Sequence, residues 1–334
     1  MRKNPAALIV ILLAIIALAF WYVSRSSPSI KTQAQVETQS AQAVDTQAVA
    51  TSTPPAVSAP LDSLIYHVPQ TVNPNGLNLV FFSDGYVSWG EFDSDVQMFY
   101  GQIKQVEPFK SYNRFNIYEI MPKELSVCTL VKETKPVLRC DPVAVNNYLS
   151  PLQLARFKFV ILSRQQFQSW SNIVRFDNSV ISFSIPQSPT SDMAAKVFGW
   201  EFDHLLGHTF GLKDEELYVI TKGGSNGTIP DGPNCAPDMR TAEQWWGKLA
   251  QIYPSRVGYF PGCEGNNNFI KPTKGSLMAL NESDSDFVPD FGPVSELYLS
   301  KVLNYCFSDK TYSISDDPDF FAQYPDFKAC VQSQ

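Results

Sequence analysis

Clusters of basic residues are missing from this chain. It carries 26 Lys and Arg against 33 Asp and Glu, a formal charge of −7, and its cations are dispersed. No stretch suits a phosphate backbone, so nucleic acid is not an expected partner. Histidine is scarce as well. There are three in 334 residues, at positions 67, 204 and 208, which argues against a centre built from three histidines. None of the six cysteines forms a Cys-x-x-C pair, which argues against a zinc ribbon. No internal repeat is visible. Large apolar side chains are almost absent from residues 24 to 60, a stretch of Ser, Thr, Gln, Ala and Pro that cannot bury enough surface to offset its ordering entropy.

What is present begins with MRKNPAALIVILLAIIALAFWYVSRSS. Arg2 and Lys3 precede an apolar run, residues 6–23, about long enough to span a bilayer. The cations hold that end in the cytoplasm and place everything after Ser24 outside. Ala17-Leu18-Ala19 offers a signal-peptidase site as the alternative, which would release a secreted protein. The run continues through Phe20-Trp21-Tyr22-Val23, which favours a retained anchor, so the membrane is an expected partner. The expected organisation is an anchor or signal sequence (1–23), a disordered linker (24–60) and one ectodomain (61–334). Beyond an export signal, six cysteines read as disulfides, and pairing of sequence neighbours predicts 128–140, 235–263 and 306–330.

Aromatics at 13% and 24 prolines favour a large core with long loops over a helical bundle. Apolar runs at 77–82, 157–162 and 180–185 read as strands, and 115–120 alternates as a half-buried strand. Residues 89–106 carry Phe92, Val96, Phe99 and Ile103 at helical spacing. Ser191-Asp192 caps a helix over 193–210, ended by Gly211. Further helices are expected at 241–252, where Trp245-Trp246 should face the core, and at 293–303, with irregular chain at 222–240 and 258–292. The class is α+β: a mixed sheet with helices packed on it, then a loop-rich C-terminal lobe.

HLLGHTFGLKD, residues 204–214, carries the chemistry. His204 and His208 are four apart, so they are rotated by about 40° and separated by about 6 Å along a helix. Both imidazoles can reach one metal. Gly211 lets the chain turn sharply and bring Asp214 back as third ligand, with Glu215 in reserve. Such a pair also occurs as an ordinary satisfied pair on a helix face.

From Asn78 to about Leu303 the chain resembles the IgA-peptidase family of metzincin-like zinc endopeptidases. LVFFSDGYVSWGEFDSDVQMFYGQIKQVEPFKSYNRFNIYEI, residues 79–120, is similar to the family's strand, Gly-Asp-Gly-Tyr turn, helix and following strand. His204, Gly207, His208, Phe210, Gly211, Leu212, Asp214 and Glu215 fall in the order of its H-E-x-G-H-x-F-G and Leu-x-Asp-Glu-Tyr motifs. GYFPGCEGNNNFIKPTKGSLMAL, 258–280, resembles its Gly-rich loop and methionine turn, with Met278 as that methionine. The resemblance implies a metzincin-like fold with a twisted mixed sheet and an active-site helix. It also implies zinc on His204, His208 and Asp214, and a peptide or protein substrate.

Two departures stand out. Leu205 occupies the place of the family's glutamate base, and the spacing to the Asp-Glu pair is one residue shorter. A second register sets Trp200-Glu201-Phe202-Asp203-His204 over H-E-F-G-H; it keeps a glutamate, Glu201, but replaces the first ligand with Trp200. The first register retains three ligands. Leucine neither accepts nor returns a proton, and losing a general acid/base costs about 10²–10⁴ in rate. The expected function is therefore a membrane-anchored zinc-peptidase-like ectodomain with impaired or lost catalysis that binds peptide or glycan. Two alternatives remain: an active endopeptidase whose base is Glu201, Asp203 or Glu215, and a non-catalytic structural envelope domain. The acidic turns 281–286 and 316–319 are candidate calcium sites, and Asn226 and Asn281 lie in glycosylation sequons.

Overall fold

A computed structural model describes residues 65–67, 72–122, 127–132, 135–154, 156–172, 179–188, 191–215, 232–279 and 286–332. The expected anchor, the linker, both sequon asparagines and the acidic turn up to residue 285 lie outside them. Among the described residues no helix is long and apolar enough to cross a membrane.

In chain order the elements are β1 (Ile65–His67), β2 (Leu77–Asp84), α1 (Trp89–Ile103), β3 (Phe115–Met121), β4 (Cys128–Val131), β5 (Val137–Cys140), α2 (Pro142–Leu149), β6 (Phe157–Ser163), β7 (Trp170–Ser171), β8 (Ser179–Ser184) and α3 (Asp192–His208). The second half holds α4 (Met239–Ile252), β9 (Phe260–Cys263), β10 (Asn266–Lys271), α5 (Gly292–Cys306), α6 (Pro318–Gln323) and α7 (Lys328–Gln332). The class is α+β, as the pattern of runs predicts.

Six strands form one mixed sheet in the order β1-β3-β2-β6-β8-β7. The four central strands are parallel, and β1 and β7 pair antiparallel at the edges. Parallel strands need both faces covered, and β6 and β8 are buried along their whole length. One face (Leu79, Phe81, Val160, Leu162, Ile181, Phe183) packs on Phe92, Val96 and Phe99 of α1 and on Phe202 and Leu206 of α3. The other (Val80, Phe82, Phe159, Ile161, Val180) packs on Leu138 of β5 and on Val145 and Leu149 of α2. The histidine-bearing helix is thus seated on the sheet by its apolar side. Ser191 caps it, its side chain accepting from the Ala194 N–H.

The disulfides are Cys128–Cys140, Cys235–Cys263 and Cys306–Cys330, the sequence-neighbour pairing. Two expectations need correction, at 258–292 and at 316–319. The stretch 258–292, read as irregular, contains the β9–β10 hairpin; Asn266, Asn267 and Asn268 supply no apolar alternation by which a strand could be read. As expected, Trp246 faces the core, its Nε1 donating to the Gly258 carbonyl at 3.0 Å, and Trp245 packs half-buried against the same cluster. In the acidic turn 316–319, Asp317 caps α6 and pairs with Lys301 and Tyr305, while Asp316 bonds Ser313. Those two carboxylates serve as caps and ties, not as a calcium cage.

Candidate metal centre

The end of α3 sets the three candidate metal ligands. Gly211 has φ +90°, a left-handed conformation that glycine adopts without strain. Its N–H bonds the His208 carbonyl, and the Leu212 N–H bonds that of Gly207. This reversal folds residues 212–215 back along the helix. Asp214 Oδ1 then lies 3.1 Å from His204 Nε2 and 3.2 Å from His208 Nε2, and the two Nε2 atoms are 3.0 Å apart. Zinc ligands about 2.0–2.1 Å from a tetrahedral ion sit roughly 3.3 Å from one another. The group His204, His208 and Asp214 can hold a metal ion.

Hydrogen bonding says the same independently. His204 Nδ1 lies 2.8 Å from the Leu277 carbonyl, and His208 Nδ1 lies 2.9 Å from the Leu212 carbonyl. A carbonyl only accepts, so each Nδ1 carries the hydrogen and donates it. With both rings neutral, both Nε2 atoms are lone pairs, aimed at each other and at a carboxylate. Three acceptors around one gap require a cation, a metal ion or a proton. Were a ring protonated instead, burial would still raise the Asp214 pKa, but the hydrogen bonds and charge of His204 and His208 would outweigh it and hold the carboxyl below the usual range.

Met278 is fully buried under the helix. A Cβ at Gly207 would come within 2.7 Å of its sulfur, so the glycine admits the methionine. The turn around it is tied to the ligands: Leu277 receives His204, and the Met278 carbonyl receives the Glu215 N–H at 2.8 Å.

Among the described residues, the carboxylates expected as bases or spare ligands are not part of this ligand group. Glu215 is fully buried, and its side chain accepts from Asn234 (2.9 Å), Thr273 (2.6 Å) and Ser276 (3.1 Å). It ties the segment after Gly211 to residues 273–276, just before Met278. Asp203 is 1% exposed, and its oxygens have no hydrogen-bond partner. Burial drives its pKa well up, favouring the neutral acid that cannot accept a proton. Glu201 is half-buried one turn before His204. Leu205 is buried among core residues. Helix geometry sets it about 60° around the axis from His208, where it offers hydrocarbon alone.

Other contributors escape a motif search. Lys158, the second residue of β6, is 1% exposed; its ammonium donates to the Thr209 carbonyl at 2.7 Å and lies 4.4 Å from the Phe210 ring centroid. It satisfies the C-terminal end of the histidine helix. A lysine inside the apolar run Phe-Lys-Phe-Val-Ile-Leu was the available signal. No protein-family model and no curated protein matches this chain.

Proposed function

We propose that this protein is a zinc-metallopeptidase-like ectodomain of the IgA-peptidase type that holds zinc on His204, His208 and Asp214 and has lost most or all catalysis. The carrying observation is the convergence of three ligand atoms on one gap, with a leucine at the position after the first histidine. In this reading the fold is metzincin-like, Met278 is the methionine turn, and a peptide or protein is bound in the former substrate cleft. The three disulfides support an extracytoplasmic domain, and the apolar N-terminus would anchor it.

Bound zinc supplies Lewis acidity and acidifies a coordinated water. His204, His208 and Asp214 hold and orient the ion, and the carbonyls of Leu277 and Leu212 fix both imidazoles in the Nδ1–H tautomer. At position 205 the chain supplies no group to take a proton or return it to a leaving amine.

The test is metal analysis and a general protease assay on the full-length chain in detergent, as wild type, His204→Ala and Leu205→Glu. The wild type should carry about one zinc per chain and cleave nothing. His204→Ala should lose the metal, and Leu205→Glu should gain chelator-sensitive cleavage. A metal-free wild type would overturn the zinc reading; chelator-sensitive proteolysis by the wild type would overturn the loss of catalysis.

A further inference from the structure

Asp214 is the one ligand that α3 does not carry, and two neighbours of a disulfide grip its backbone segment. Glu264 takes both main-chain groups of Asp214: its N–H donates to the Asp214 carbonyl at 2.9 Å, and its Oε1 accepts from the Asp214 N–H at 3.3 Å. Asn234 takes both main-chain groups of the preceding residue. Its Oδ1 accepts from the Lys213 N–H and its Nδ2 donates to the Lys213 carbonyl, each at 2.8 Å. Asn234 Nδ2 also reaches Glu215 Oε1 at 2.9 Å. Residues 213, 214 and 215 are thus each held from outside the histidine helix.

The two grips are joined covalently. Asn234 precedes Cys235 and Glu264 follows Cys263, and these cysteines form a fully buried disulfide. Cys263 Sγ lies 3.7 Å from the Asn234 carbonyl oxygen, and Cys235 Sγ 3.8 Å from that of Asp214. Glu264 adopts φ +51°, in the left-handed region that a non-glycine residue enters only at a cost. A strained residue at this turn is consistent with the surrounding bonds dictating its conformation.

We propose that Asn234 and Glu264, locked together by the Cys235–Cys263 disulfide, are positioning residues of the metal centre, setting the place of the Asp214 carboxylate and hence the metal affinity. This deepens the metal-binding reading above and rests on it. A carboxylate on a free loop would lose rotational and translational freedom when it captured a metal; here that ordering precedes binding.

The experiment measures zinc affinity of the full-length chain by competition with a chromophoric chelator, with cobalt(II) absorption reporting site geometry and thermal melting reporting the fold. The variants are Glu264→Ala, Glu264→Gln, Cys235→Ala/Cys263→Ala, and Cys128→Ala/Cys140→Ala as a disulfide control remote in sequence. Loss of outer-shell support weakens metal binding by about 10- to 100-fold; that is the expected loss for Glu264→Ala and for the 235/263 pair. Glu264→Gln keeps an oxygen acceptor and should bind nearly as wild type, with an unchanged cobalt spectrum. The 128/140 control should melt earlier and keep wild-type affinity. Wild-type affinity in Glu264→Ala, or equal losses in the two disulfide variants, would overturn the proposal while leaving the metal site standing. A wild type that binds neither zinc nor cobalt would overturn both.

Discussion

At Gly207 one hydrogen atom separates the histidine helix from Met278. An added Cβ would lie 2.7 Å from the methionine sulfur, 2.9 Å from Phe291 Cε1 and 3.3 Å from Leu212 Cδ1. Alanine gains about 1 kcal/mol over glycine inside a helix, whereas overpacking a dense core costs about 1–3 kcal/mol. The methionine can shift, but the Phe291 ring and the leucine close the other sides, so the overpacking cost should win. Gly207→Ala should destabilise by about 1 kcal/mol, read from the denaturant midpoint at constant slope. Met278→Ala added to it should cost less than on its own, because the new methyl fills part of the cavity. A more stable Gly207→Ala would mean that the methionine moves aside freely and that the glycine answers some other need.

Within the sheet, β3 carries the least expected residue. Glu119 is fully buried, Gln97 reaches its Oε1 at 3.5 Å, and its Oε2 has no hydrogen-bond partner. Burial, with the nearby Asp93 carboxylate adding to it, pushes its pKa from 4.5 to about 7. The folded state therefore holds a proton that the unfolded chain releases near 4.5. Its stability is greatest below that value and falls as the pH rises from about 4.5 to about 7, by up to about 3 kcal/mol. Glu296, raised to about 7 by burial and by Asp290 against Arg256, slopes the same way. Glu119→Gln should remove its own share of the slope and leave the variant more stable than wild type at pH 8; an unchanged pH profile from equilibrium unfolding would refute this. The apolar spacing of β2, β6, β8, α1 and α3 reports their burial directly, and His-x-x-x-His with Gly211 and Asp214 is legible because helix pitch and one turn bring them together. In β3 the alternation read as a half-buried strand, whereas Phe115, Asn116, Tyr118, Glu119 and Ile120 are all buried. Layers on both faces bury it, and a neighbour's layer leaves no mark in a strand's own sequence. The grip of Asn234 and Glu264 on the ligand segment was illegible for the same reason: it joins residues 21 and 50 positions apart.

Taken whole, the molecule joins a sheet-borne helix to a disulfide-clamped C-terminal lobe at one small gap, and the content of that gap should set global stability. Zinc at about a hundred times its dissociation constant would add about 2.7 kcal/mol by mass action, a rise of several degrees in melting temperature for a domain of this size. His204→Ala should show no such rise. The metal-free molecule makes the sharper test, because there His204, His208 and Asp214 compete for one proton. Asp214→Asn replaces one acceptor with an amide whose N–H₂ can donate to an imidazole Nε2. Metal-free stability should then hold or increase while the zinc response disappears, the expected signature of a site kept for binding at some expense to folding. The competing picture is a protonated histidine–aspartate ion pair that serves stability alone. Breaking a buried pair of that kind costs about 3–5 kcal/mol. A loss of that size in metal-free Asp214→Asn would show that the gap was shaped for a proton and not for a metal.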